Sequence, residues 1–323
     1  MTILLCDIGG THIRFAASEP EGSMCQPEKL RVDRHNSLED AVTRYLSSQS
    51  IRADDVTHLY LAFSNRSDWL REQAVLQTGL PNAQLRLVND FEANALGILY
   101  AEEGDFEDLR TVTAPRAERS SKVVLGVGTG LGIAYIVGEK GSEIVQQTHG
   151  GHMLPALSGQ DHRDIFDALA ADKKDGSISI YEDVLSGGGL FNLYRLLCHR
   201  SHLNPEYHDV ADLLLSGKDD PVMQQTLRFF HEILGVFTHQ AVAFGYSYGG
   251  VYLTGGIIDK LKASGLFDTE TFLASFHQNN IPVVKNNVLA TPVYWIRDEF
   301  VSLRGLLRQA HIDIKEVPCA QPI

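Results

Sequence analysis

KVVLGVGTGLGIAYIVG, residues 122–138, runs from an apolar stretch through a glycine-rich turn bearing Thr129 into a second apolar stretch, the pattern of a hairpin. The chain begins with the same layout. TILLC (2–6) and HIRFAAS (12–18) flank a turn that holds Gly9, Gly10 and Thr11. A duplicated strand–turn–strand unit implies two related domains facing one cleft, and a chain of 323 residues with 44% hydrophobic residues has material for two cores.

Around these two units the first hundred residues alternate strand and helix signals. In NSLEDAVTRYLSS, Asn36 or Ser37 can cap a helix whose Leu38, Ala41, Val42, Tyr45 and Leu46 recur at helical spacing. HLYLAF (58–63) and LRLV (85–88) read as buried strands, and DFEANALGILYAE opens a helix directly after the second. Residues 102–122 are polar and charge-rich and read as a crossing between domains. Farther on, SGGGLFNLYRLLCHR and VMQQTLRFFHEILGVFTHQAVAFGY read as long helices, GVYLTGG (250–256) as a strand ending in a glycine turn, and EFVSLRGLLRQA as a last helix before a loose tail.

The formal net charge of −13 repels phosphate backbones and anionic lipid, and no Lys/Arg cluster offsets it in the sequence, so a small-molecule substrate is expected rather than nucleic acid or membrane. Four scattered cysteines without a CxxC pair, and an N-terminal apolar run too short for a signal peptide, point to the cytoplasm.

Four short stretches can carry chemistry. In CDIGGTHIRF, Asp7 sits at a strand end before Gly9, Gly10 and Thr11. Such a turn can wrap a phosphate in backbone N–H groups while the carboxylate faces magnesium, or it can be a plain hairpin turn. In GVGTGLGIA the glycines around Thr129, Gly128 and Gly130 among them, leave room for phosphate oxygens. A strand follows instead of a helix and no GK[ST] ends the loop, which excludes a Rossmann or Walker site. In LVNDFEANALG, Asn89 and Asp90 stand between a strand and a helix, where an aspartate is either a cap or a functional carboxylate. The loop HGGH, with His149 and His152 around two glycines, is a bent segment suited to a metal or to a polar substrate.

Taken in order, DIGGTHIRFA, LVNDFEANALG, GVGTGLGIAYI, HGGH, YEDVLSGGGLFNLYR and VYLTGGII resemble the bacterial glucokinase family of the hexokinase, Hsp70 and actin superfamily, over nearly the whole chain. The resemblance implies an α/β protein with two actin-like ATPase (ribonuclease H-like) domains around a central cleft. The first spans residues 1–112 and is completed by a C-terminal helix at 299–323; the second spans 113–298. It further implies an ATP-dependent hexose kinase of glycolysis that uses Mg2+ and is often a homodimer.

Carried onto this chain, Asp90 resembles the catalytic base and Asn89, His149, His152 and Glu182 the sugar ligands. Asp7, Gly9, Gly10 and Thr11 resemble the first phosphate turn, with Asp7 holding Mg2+ through water. Gly128, Thr129 and Gly130 resemble the second phosphate turn, and Thr254, Gly255 and Gly256 the adenosine-side turn.

Three departures touch the acceptor side. His149 stands where the family has the glutamate of EGGH, His12 stands where it has asparagine, and the region 64–84 is shorter. An imidazole accepts one hydrogen bond where a carboxylate accepts several, so a kinase for another sugar stays open beside glucokinase itself. A sugar- or nucleotide-binding regulator without turnover is the third reading, opposed by Asp90 and the intact turns.

Overall fold

A computed structural model describes residues 2–19, 22–63, 79–112, 121–139, 141–156, 159–279 and 281–316. The chain divides into two compact units, residues 1–105 with 298–323, and residues 106–297.

The first unit is built on a five-stranded sheet of β1 (Thr2–Ile8), β2 (His12–Ser18), β3 (Cys25–Arg31), β4 (Val56–Phe63) and β5 (Gln84–Asn89), in the order β3-β2-β1-β4-β5. β1, β2 and β3 are antiparallel neighbours, whereas β1, β4 and β5 run parallel. Because side chains alternate along a strand, β1 serves two cores. Leu4, Cys6 and Ile8 pack toward α1 (Leu38–Gln49), while Ile3 and Leu5 join the cluster of α2 (Asp90–Ile98) and α10 (Val301–Glu316). Ser37 caps α1 by accepting from the Asp40 N–H at 3.1 Å, and the five apolar residues at helical spacing are all buried.

α2 and α10 approach backbone to backbone. A Cβ on Gly97 would lie 2.0 Å from the Val301 carbonyl oxygen, and one on Gly305 would lie 1.9 Å from that of Ala93. Only glycine permits this crossing.

The second unit repeats the plan in a six-stranded sheet, order β6-β11-β10-β7-β8-β9. Its strands are β6 (Phe106–Arg110), β7 (Lys122–Val127), β8 (Leu131–Val137), β9 (Ile144–Gln147), β10 (Val251–Thr254) and β11 (Val293–Ile296). β7, β8 and β9 form the antiparallel part and β7, β10 and β11 the parallel part, the arrangement of the first unit with β6 added at one edge. The apolar core of this unit includes residues of α3 (Gln160–Ala171), α4 (Gly187–Arg200), α5 (Val210–Ser216), α6 (Pro221–Gly245), α7 (Gly256–Ala263) and α8 (Thr269–Phe276); α9 (Pro282–Leu289) precedes β11.

Four expectations change. Residues 106–110, read as part of a crossing, form β6, whose polar sequence is paired to β11 at the sheet edge. β5 is an edge strand in which only Val88 is buried and Leu87 is 44% exposed, so it is not the buried strand its composition suggested. The helix opened by Asp90 ends at Ile98. The fold also gathers Lys29, Arg31, Arg34 and Arg44 around one cavity of about 450 Å3, though Glu299, Asp33 and Glu28 neutralise three of them.

Among the described residues no helix is long and apolar enough to cross a membrane. Most of the 64–84 region, the 113–120 part of the crossing and the tail after residue 316 lie outside the described residues.

Candidate active site

In the first unit the candidate residues collect at the carboxyl ends of the parallel strands, where open α/β sheets bind their ligands. Ile8, Phe63 and Asn89 are in register across β1, β4 and β5, which brings Asp7 and Asp90 to one edge of the sheet. Asp7 is buried. Its Oδ2 accepts from Arg14 Nη1 at 3.2 Å across the β1–β2 hairpin and from Ser302 Oγ at 2.7 Å, so two donors converge on one oxygen. The turn after it is closed by the Gly9 N–H donating to the His12 carbonyl at 3.0 Å, with Gly10 and Thr11 exposed at its tip.

The cap of α2 is Asn89 rather than Asp90. Asn89 Oδ1 accepts from the N–H groups of Phe91 at 3.0 Å and Glu92 at 3.2 Å. Asp90 is therefore the first residue of the helix, half-buried, with its Oδ1 accepting from Phe91 N–H at 3.0 Å. Burial, and after it the negative charge of Asp7, pushes the Asp90 carboxyl up to about 6, against the pull of the Phe91 N–H. A carboxylate poised near neutrality is the form a general base requires.

In the second unit the three remaining groups of predicted residues meet. Gly128 N–H donates to the Gly130 carbonyl at 2.9 Å and folds the turn between β7 and β8, leaving Thr129 exposed. Thr254 ends β10, and Gly255 follows with φ 102°, where a Cβ would lie 2.4 Å from the Val127 carbonyl oxygen. Gly256 then begins α7, and its nitrogen lies 4.0 Å from where a Cβ on Gly128 would stand. The Gly187 N–H, at the start of α4, donates to the Gly128 carbonyl at 2.8 Å. Two helix N-termini thus meet the 128–130 turn, and their partial positive charge and orphan N–H groups suit an anion.

Glu182 is buried in a 310 turn, Tyr181–Asp183, and its Oε2 accepts from the Leu131 N–H at 2.8 Å. The turn is pinned by Asp183, which accepts from the Ile180 N–H at 2.7 Å and pairs with Lys173 at 2.6 Å. His152 Nε2 stands 3.8 Å from Glu182 Oε2, and the His149 ring lies nearly parallel to that of His152, 6.1 Å between centroids. Gly151 lets the loop lie against β8, since a Cβ there would meet the Leu131 carbonyl oxygen at 2.0 Å. Among the described residues no three His, Cys, Asp or Glu side chains form a group able to hold a metal ion, and the HGGH loop offers no such group.

Sequence reasoning missed Arg14, Ser302 and the Ser186–Gly189 cap, in which Ser186 Oγ accepts from the Gly189 N–H at 2.9 Å. A serine followed by three glycines before an apolar helix was the available signal for the cap. Ser302 has no such signal, because its partner is at the other end of the chain.

The family model for glucokinase matches residues 4–312. The chain belongs to the glucokinase family.

The glucokinase of Nitrobacter hamburgensis is 30% identical over 314 residues, covering 93% of this chain and 94% of that protein. Among solved structures, a glucokinase from Balamuthia mandrillaris in complex with glucose superposes with a TM-score of 0.76 at 18% identity, over 96% of this chain and 93% of that one. A ROK family glucokinase from Streptomyces griseus in complex with glucose and AMPPNP superposes with a TM-score of 0.62 at 17% identity, over 97% of this chain and 100% of that one. The fold is therefore shared with these kinases, and the glucokinase family makes the chain an ATP-dependent sugar kinase.

Proposed function

We propose that this glucokinase family member transfers the γ-phosphoryl group of ATP to glucose, giving glucose 6-phosphate at the entry to glycolysis, with Asp90 as the general base. The observation that carries the reading is the raised carboxyl of Asp90 at the start of α2, beside the charge of Asp7. The sugar hydroxyl oxygen attacks the γ-phosphorus, the bond to the bridging oxygen of ADP breaks, and the hydroxyl proton passes to the Asp90 carboxylate.

Several of the remaining residues have a role that their geometry allows. Asn89 Oδ1 is committed to its helix cap, so the amide Nδ2 is the group it offers to a sugar oxygen. Glu182 has Oε2 on the Leu131 N–H and accepts from sugar hydroxyls through Oε1, with His152 beside it. The 128–130 and 254–256 turns and the N-termini of α4 and α7 supply N–H groups for the nucleotide.

Among the described residues, Asp7 offers magnesium a place. Both protein donors to Asp7 sit on Oδ2, and a single hard carboxylate without a protein cage matches an ion that keeps its waters and is completed by phosphates. When bound it supplies neutralisation of phosphate charge. Asp7 would hold it through a water on Oδ1.

A coupled ADP-release assay across hexoses, with sugar-free ATP as control, tests the function. Turnover with no hexose, or only ATP hydrolysis, would overturn it. A second reading, phosphorylation of a different hexose, is favoured by His149 standing in the HGGH loop, its ring against that of His152, where the family has a glutamate. The same panel separates the two.

A further inference from the structure

Ser302 lies on α10, at the far end of the chain from β1, yet it is 1% exposed and donates to Asp7 Oδ2 at 2.7 Å. Arg14 donates to the same oxygen at 3.2 Å from β2. Two donors on one carboxylate oxygen fix the side-chain rotamer and turn Oδ1 away from both. The helix that carries Ser302 is itself held without slack, since Gly97 and Gly305 admit backbone contact between α2 and α10. α2 begins at Asp90, so one crossing holds the helix that starts at Asp90 and the helix that carries the Ser302 donor to Asp7.

From this geometry we infer that Ser302 is a positioning residue for the divalent cation: its hydroxyl, with Arg14, orients Asp7 so that Oδ1 receives the cation's water. This rests on the reading of Asp7 as the cation-side carboxylate. The hydroxyl touches neither sugar nor nucleotide in this role and acts only through Asp7. Without it, Asp7 keeps Arg14 but gains rotational freedom, and the cation loses a preorganised partner rather than a ligand.

The test uses Mn2+ as the probe, its free concentration followed by electron paramagnetic resonance in the presence of AMPPNP and glucose, on the full chain. Ser302→Ala is expected to weaken Mn2+ binding about tenfold, the loss of one hydrogen bond to a charged group. Ser302→Thr, which keeps the hydroxyl, is expected to bind within threefold of the parent. Thermal melting confirms that each variant is folded. The parallel measurement on activity expects a higher Mg2+ requirement with an unchanged KM for the sugar.

Asp7→Asn separates the two layers of the argument. If it leaves Mn2+ binding intact, the reading of Asp7 fails and the proposal with it. If Asp7→Asn abolishes binding while Ser302→Ala binds within twofold of the parent, or Ser302→Ala and Ser302→Thr are equally weak, the role of Ser302 is overturned and that of Asp7 stands.

Discussion

Asp90 and Asp7 oppose one another as neighbouring negative charges, and the folded chain binds the Asp90 proton more tightly than an unfolded one does. The sign follows directly. Stability from this group is full below the ordinary carboxyl range and is lost as pH rises through about 6. Asp90→Asn should therefore raise the melting temperature at pH 7–8, with a gain that shrinks toward pH 4, while lowering turnover by roughly 10²–10⁴. A variant less stable than the parent at pH 8 would contradict the burial argument. The acidic limb of kcat/KM should lie near 6, and Asp7→Asn should move the limb of its residual activity downward without abolishing the shift, because burial is the larger cause. At the HGGH loop, the proposed sugar contact, His149→Glu should improve kcat/KM for glucose relative to mannose, fructose and N-acetylglucosamine. One satisfied hydroxyl is worth about 1 to 3 kcal/mol, or one to two decades. A variant worse on glucose would show that His149 suits glucose as it stands.

Among the elements, the crossing of α2 and α10 leaves no room for a side chain. Gly305→Ala places a methyl 1.9 Å from the Ala93 carbonyl oxygen, so α10 must lift from α2. Overpacking of this kind costs about 1–3 kcal/mol or more, and a chemical denaturation midpoint checks it. Activity in the surviving folded fraction should fall too, since Ser302 and Asp90 move with their helices. α6 and α8 are joined by a buried imidazole. His231 Nδ1–H donates to the Leu227 carbonyl at 2.7 Å, and its Nε2 accepts from the Asp268 N–H at 3.2 Å. Burial holds its pKa down at about 4, so the unfolded chain takes up a proton that the folded chain refuses. Stability should fall as pH drops from the ordinary imidazole range to about 4, by on the order of 3 kcal/mol, and His231→Gln should flatten that slope. The period of the hydrophobic residues made α1, α4, α6 and α10 legible. β3, β6 and β9 were not legible, because none of their side chains is buried and no apolar–polar alternation marks such edge strands.

For the whole molecule, the second unit is one continuous segment inserted into the first. The first unit needs both ends of the chain: Leu303, Leu306 and Ala310 of α10 share a core with Ile3, Leu5, Tyr60 and Val88. A fragment of residues 106–297 should thus fold alone with a cooperative melt, whereas residues 1–105 should not until a peptide spanning α10 is added. Circular dichroism and denaturant titration of the fragments decide this. Independent folding of residues 1–105 would mean that the α10 face of the sheet is dispensable.

The sequence by itself determined the duplicated strand–turn–strand plan and the positions of the glycine turns. Both are set by local backbone geometry, which glycine and apolar period report without reference to the rest of the chain. It also singled out Asp90 and the HGGH loop as candidates, because a carboxylate between a strand and a helix and a glycine-rich bend with two histidines stand out locally, whereas Glu182 was named only through the family resemblance. Only the tertiary structure decided that Asn89, not Asp90, caps α2, that Glu182 spends one oxygen on the Leu131 N–H, and that α4 begins against the 128–130 turn. It alone showed Ser302 on Asp7. Those facts depend on which hydrogen-bond partner lies nearest in space, and a carboxylate buried by residues hundreds of positions away carries no trace of them in its own neighbourhood.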